Sequence, residues 1–422
     1  MTYQEALDYI SSLAPRGWRL GLDRMEEFAR RASLLPSDQK FIHVAGTNGK
    51  GSTTAMIQSA LTEQGLRSGS FFSPYVVDPR ERVQIGREMI SPQLLAEITE
   101  YLRPIGESLS ETEFGGVTEF EFKTAIGLEC WKRAECEYVA LEVGLGGRLD
   151  ATNVITPVSS AIVSIGLDHV QILGNTVEEI AFEKAGILKP GRPGIVGEVS
   201  PEVLRVIEAR ASEVGAPLWR VGFEVRYEVQ PSGKVRVTTP QSEILLEPSL
   251  FGLVQQHNSA VAYAALELAG AVRNPQAVQL GFSTATIPGR YQRISRHDQE
   301  WILDGAHNPD SALVLAEMLV QDRKKDLICL TGMLQGHSPE EFYPTLSRFV
   351  REFWVVPVDN PRSMTPPALA AILDSMGLKT RTFESTAAAI EAADCAEDTE
   401  GYLVSGSFYA VGEIMRLLRS LP

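Results

Sequence analysis

The stretch Phe41–Ser52, FIHVAGTNGKGS, runs from apolar residues into a glycine-rich turn carrying Lys50, with a helix expected from Ser52-Thr53. Glycines let a backbone approach phosphates closely, N–H groups at a helix start attract anions, and a lysine adds positive charge. The spacing is not that of G-x-x-x-x-G-K-[ST]. Val44 stands where the first glycine would be, and Gly51 separates the lysine from the hydroxyl. A nucleotide-phosphate loop is expected; the competing reading is an ordinary strand–turn–helix connection.

Further along, Glu142 closes the otherwise apolar run YVALEV (138–143), and Gly144–Arg148, GLGGR, follows at once. A carboxylate so placed suits Mg2+ beside a triphosphate; the alternative is a salt bridge to Arg148. Asp168-His169 ends another apolar run, and His169 reads either as a metal ligand or as a structural hydrogen-bonder, oxygen suiting magnesium better than imidazole. Val177, Ile180, Ala181, Lys184 and Leu188 recur at helical spacing, so a lysine interrupts an apolar stripe. Its stem either snorkels with the ammonium at the rim, or the amine is desolvated and disfavoured as a cation. A neutral, nucleophilic amine can take up carbon dioxide and become a carbamate, an anionic oxygen ligand. Asp304, opening DGAHNP (304–309), repeats the strand-end pattern, and Arg290 in PGR (288–290) could reach phosphates or cross between domains.

Elements that could position these residues follow from periodicity. Strands are expected at 41–45, 67–72, 138–143 and 160–165, alternating with helices at 53–64, 92–102, 120–132 and, behind a Thr176/Glu179 capping box, through Ile187. Such alternation implies a parallel sheet with functional residues at the strands' C-terminal ends. Leu20, Met25, Phe28 and Leu35 should pack on that domain. Period-two runs at 223–229 and 234–238 around Pro231-Ser232-Gly233 predict a β-hairpin insertion, and an apolar-faced helix at 257–269 completes the domain. The polar stretch Tyr291–Glu300 is expected to be a linker, after which strands at 301–303, 327–330, 353–358 and 402–404 restart the βα rhythm. The expected organisation is therefore α/β throughout: residues 1–292 as a nucleotide-binding domain and 298–422 as a smaller Rossmann-like one.

The 422-residue length exceeds what one core serves, and a composition of 44% apolar and 22% charged residues is ordinary for a globular protein. A net charge of −15 argues against a nucleic-acid partner. No apolar run reaches the ~18 residues of a membrane span, and the start MTYQEALDYISSL lacks a secretory layout. The four cysteines lack metal-pair spacing, so reduced thiols in a cytoplasmic protein are expected.

Taken together, VAGTNGKGS (44–52), SP (73–74), ERVQIG (81–86), EVGLGGRLDATN (142–153), DH (168–169), EKAGILKP (183–190), PGR (288–290), DGAHNP (304–309) and GSFYAVGE (406–413) resemble the folylpolyglutamate synthase/dihydrofolate synthase family of the Mur ligase superfamily. The resemblance implies a P-loop Mur-ligase ATPase domain followed by a Rossmann-like glutamate-ligase domain. It implies an ATP-dependent ligase that phosphorylates a pteroate or folate carboxylate and passes it to the amine of L-glutamate, with dihydropteroate or reduced folates as acceptors. By the same resemblance Gly49, Lys50, Gly51 and Ser52 bind the ATP phosphates, and Asn258, Arg290 and Asp304 are ATP contacts, the last two from opposite sides of a hinge. Ser73, Glu142 and His169 match magnesium ligands, and Lys184 matches a lysine carbamylated to support the second of two Mg2+ ions. Thr118, Glu119, Phe120 and Glu121, with Leu149, Asp150 and Ala151, match pterin-side segments. His307 and Ser407 fall on the glutamate side. A monomer is expected, and a monovalent cation is left open.

Two positions depart from the family pattern. Tyr75 follows Ser73-Pro74 where histidine is usual, and GMLQGHSPEEF (332–342) lacks the usual Lys-Asp pair, which leaves the acceptor open. Two other readings compete. A cell-wall amino-acid ligase would need a sugar-nucleotide domain before the loop, where residues 1–40 leave little room. A non-ligating P-loop regulator would need neither Lys184 in its stripe nor the Asp304 motif.

Overall fold

The computed structural model describes residues 1–17, 19, 21–396 and 399–420. Leu20 lies outside them. The chain forms two compact units. One comprises Met1–Pro74, Arg80–Ser249 and Gln255–Thr286; the other comprises Tyr75–Pro79, Leu250–Val254 and Ile287–Pro422.

In the first unit, β1 (Lys40–Ala45), β2 (Ser68–Phe71), β3 (Val83–Ile85), β4 (Glu88–Met89), β5 (Tyr138–Glu142), β6 (Ser159–Ile162), β7 (Gly194–Val196) and β8 (Leu218–Arg220) build one sheet. Its order is β4-β3-β2-β5-β1-β6-β7-β8. From β2 to β8 the pairing is parallel, and β3 and β4 add an antiparallel edge. A parallel sheet is covered on both faces, which is why β1 and β5 are buried along nearly their whole length. One face packs on Met25, Phe28, Phe122 and Trp131 and, toward the strand ends, on Ala181, Ala185 and Leu188; on the other, Ser70 accepts Gln58 Nε2 and Ser159 Oγ donates to Ala265 O. Met25 and Phe28 are buried as expected, with Leu35 partly so. Val44 pairs with Glu142 on one side and Ala161 on the other, so the ends of β5, β1 and β6 lie level. The insertion is a three-stranded meander, β9 (Arg226–Val229), β10 (Val235–Thr238) and β11 (Glu243–Leu246), one strand more than the expected hairpin.

The second unit's sheet holds β12 (Gln292–Arg296), β13 (Gln299–Leu303), β14 (Leu327–Thr331), β15 (Val350–Val355), β16 (Thr380–Thr382) and β17 (Tyr402–Ser405), in the order β12-β13-β17-β14-β15-β16. All pairs are parallel except β12–β13. The expected linker at Tyr291–Glu300 is therefore corrected to a hairpin. Its turn is His297-Asp298, both at positive φ as a tight hairpin turn demands. The stretch is polar because β12 is an edge strand with half its side chains in water. Arg290 falls in this unit too, so Arg290 and Asp304 do not come from opposite sides of a hinge.

Candidate active site

The phosphate-type loop leaves the end of β1 and enters the Lys50–Glu63 helix through Gly49, which stands at φ 81°. A Cβ there would lie 2.8 Å from both Asn258 Oδ1 and Val163 Cγ1, so glycine is required twice over. The loop is fastened to the segment after β6. Thr47 N donates to Ser164 O at 2.9 Å, Asn48 N to Ser164 Oγ at 3.0 Å, and Thr47 Oγ1 to Gly166 O at 3.0 Å. These bonds tie the loop to the segment that follows β6.

Two lysine amines converge on one carbonyl. Lys50 Nζ donates to Gly46 O at 2.9 Å and to Thr47 O at 3.1 Å, while Lys184 Nζ donates to Gly46 O at 3.0 Å. Lys184 is 4% exposed, which removes the snorkelling alternative. Burial first, and then the charge of Lys50, pushes its amine down to about 7; Asp168 and Asp150 pull the other way.

Glu142, buried at the end of β5, accepts the backbone N–H of Ser73 at 3.0 Å. Arg148 pairs with Glu183 at 2.7 Å, not with Glu142 as the alternative reading had it. His169 begins a short helix at φ 49°, with its Nε2 3.9 Å from Asp168 Oδ1. Glu142 thus ends β5 and His169 follows β6, the two strands that flank β1.

The glycine turn after β5 is shaped by Asp150. Its Oδ2 accepts Leu145 N at 2.8 Å, and its Oδ1 accepts Thr152 N at 3.0 Å and Thr152 Oγ1 at 2.5 Å. Burial pushes this carboxyl up, opposed by those donors. Phe120 seals the turn: a Cβ on Gly144 would come within 2.3 Å of its ring. Thr118 and Glu121 form a capping box, and Glu121 also accepts Arg24 Nε at 2.8 Å in a buried pair. Glu119 pairs with Lys123 at 2.5 Å.

In the second unit, Asp304 Oδ2 accepts Tyr291 N at 2.8 Å and its Oδ1 accepts Ala306 N at 2.9 Å. Burial raises this carboxyl and the Arg290 charge opposes it. Arg290 lies over the Phe408 ring at 4.4 Å. His307 lies 5.1 Å from His337 and 5.8 Å from Phe408, ring to ring, and Ser407 Oγ caps the following helix by accepting Tyr409 N at 3.1 Å.

Comparison with known proteins decides the family. The Mur ligase middle domain matches residues 44–266, and the Mur ligase glutamate ligase domain matches residues 289–408. Escherichia coli dihydrofolate synthase/folylpolyglutamate synthase is 35% identical over 98% of this chain and 94% of its own. The chain belongs to the folylpolyglutamate synthase/dihydrofolate synthase family. Among solved structures of that family, Escherichia coli FolC in complex with DHPP and ADP superposes with a TM-score of 0.89 at 32% identity, covering 100% of this chain and 98% of that one. The Yersinia pestis bifunctional synthase complexed with AMPPNP and a Mn ion gives 0.87 at 33% identity, covering 99% and 98%.

For this member of the synthase family, the residues singled out in the sequence fall into two groups. Gly49, Lys50, Gly51, Ser52, Ser73, Glu142, His169, Lys184 and Asn258 gather around the ends of β5, β1 and β6 in the first unit, with 118–121 and 149–151 around the glycine turn. Arg290, Asp304, His307 and Ser407 gather in the second. Sequence reasoning missed Thr47, Ser164 and Gly46, whose contacts run to backbone groups of distant loops that no residue type announces. It also passed over His43 and Thr152, although a histidine inside an apolar strand was a visible signal.

Proposed function

We propose that this chain uses ATP to join L-glutamate to the carboxylate of dihydropteroate and of reduced folates, acting as a bifunctional ligase. The observation that carries the reading is the pair of lysine amines, Lys50 and the buried Lys184, held on the carbonyl of Gly46 inside a phosphate-type loop. Polyanions must be brought together, so charge neutralisation and positioning dominate the catalysis. A carboxylate oxygen of the pteroyl substrate attacks the γ-phosphorus and ADP leaves. The glutamate amine then attacks the acyl carbon, loses a proton, and inorganic phosphate departs.

Lys50, Ser52 and the loop N–H groups hold the phosphates. Asn258 supports the loop from behind Gly49. Phe120 and the 149–151 segment receive the pterin side, and Arg290 and Asp304 serve the nucleotide. His307 and Ser407 orient the incoming glutamate. Among the described residues, no three His, Cys, Asp or Glu side chains gather as a metal site. The donors that fit are a mixed set: Glu142 and Ser73 already joined, His169 one loop away, and Lys184 as its carbamate. Oxygen-rich sites completed by substrate phosphates are what magnesium takes, and two such ions would supply positive charge at the phosphates.

Among the described residues no helix is long and apolar enough to cross a membrane. The unbridged thiols of Cys130, Cys136 and Cys329 are buried and Cys395 is exposed, which suits a reducing, cytoplasmic setting. We take the working form to be a monomer.

Purified protein should release ADP and phosphate from MgATP only when glutamate and a pteroyl acceptor are both present, tested with dihydropteroate and tetrahydrofolate in separate arms. ATP hydrolysis indifferent to the acceptor would overturn the reading.

A further inference from the structure

The glycine turn after β5 is held from behind by two residues that no part of the reaction above uses. His43 points from β1 into the buried space beside that turn, its Nε2 2.9 Å from Thr152 Oγ1. Thr152 Oγ1 in turn lies 2.5 Å from Asp150 Oδ1, and Asp150 reaches across the turn to Leu145 N. We propose that His43 and Thr152 are positioning residues: a one-way relay, His43 Nε2–H to Thr152 Oγ1–H to Asp150, fixes the turn that receives the pteroyl substrate. The proposal rests on the functional reading above for the identity of that substrate.

Hydrogen-bond bookkeeping sets the direction. A threonine hydroxyl has one proton. The carboxylate of Asp150 is acceptor-only, so the hydroxyl gives its proton there and must accept from His43. His43 therefore carries its proton on Nε2. The other tautomer would leave a buried N–H on Nδ1, an atom with no hydrogen-bond partner among the described residues. Complete burial, aided by the nearby charge of Lys189, keeps the imidazole neutral, pushing it down to about 3.

Packing alone does not account for the histidine. Its neighbours on β1 are Phe41, Ile42, Val44 and Ala45, and an apolar side chain in its place would bury no polar atom. The link to the substrate is the turn itself. Asp150 sits between Leu149 and Ala151, and Gly144 at the other end of the turn lies against the Phe120 ring.

The test is steady-state kinetics on His43→Leu and Thr152→Val, which break the relay, beside His43→Gln and Thr152→Ser, which keep an N–H at the Nε2 position and the hydroxyl. His43→Leu and Thr152→Val should each raise KM for dihydropteroate by about 5- to 10-fold, the loss of one net buried hydrogen bond. KM for ATP and for glutamate should stay near wild type, and the two conservative variants should recover the pteroyl KM. Should His43→Leu fail to fold, the Thr152→Val and Thr152→Ser pair decides alone. An unchanged pteroyl KM in Thr152→Val overturns the proposal, as does a rise in the ATP KM as large as that for the pteroyl substrate. The ligase reading, by contrast, would fail already in the wild-type protein.

Discussion

The amine of Lys184 is poised where a small change in pH alters its chemistry. Only the uncharged amine takes up carbon dioxide, and its ordinary value near 10.5 has come down to about 7. A depressed lysine is neutral above its folded value, so carbamate should be scarce at pH 6 and rise on going to pH 8. Labelled bicarbonate followed by carbon NMR on the metal-free protein should show this, and Lys184→Ala should abolish the signal. The same substitution should remove most turnover, with partial recovery when short carboxylates are added. Lys50→Ala should cost at least about 100-fold in kcat, the scale of losing one preorganised charge at a reacting phosphate. The oddity of Lys184 was legible in the sequence, because a lysine breaking an apolar stripe is a local pattern. What it touches was not: Gly46 O lies 138 positions away in the chain and is backbone. Ser73 entered only through the family resemblance, since it meets Glu142 through its N–H, which every residue but proline carries.

Elements built around the site explain why several residues expected to bind substrate also carry structural tasks. Glu121 satisfies the start of its helix and neutralises buried Arg24 at once. Glu121→Ala should therefore destabilise the protein by about 3 kcal/mol, the cost of leaving one buried charge unpaired. Urea unfolding monitored by circular dichroism would measure it. At the β12–β13 turn the direction reverses. Asp298 is held at φ 61°, so Asp298→Gly should stabilise by up to about 1 kcal/mol. Most strands and helices were legible from periodicity, but β12 was not. An edge strand with one wet face and a His-Asp turn has the composition of a linker, and only its pairing with β13 makes it a strand.

At the scale of the whole molecule, a net charge of −15 must coexist with binding of anionic substrates. Cations are therefore placed where they are needed, at Lys50 in one unit and Arg290 in the other. Nucleotide should consequently stabilise the fold: MgATP at 100 times its Kd adds about 2.7 kcal/mol. A thermal scan should show a higher Tm in wild type and a much smaller shift in Lys50→Ala. The second unit carries a feature that no local pattern discloses, since it includes Tyr75–Pro79 and Leu250–Val254, drawn from within the chain of the first. Val76 O fills the space over Gly412, where a Cβ would come within 1.7 Å, and Phe251 stacks on Tyr291 at 4.6 Å. A chain emerging from the ribosome thus presents two pieces of the later unit long before the rest of it exists. Those pieces must wait, unsatisfied, until residue 412 and its neighbours have been made, so the C-terminal unit cannot be excised as one continuous stretch of gene without losing part of its own interior.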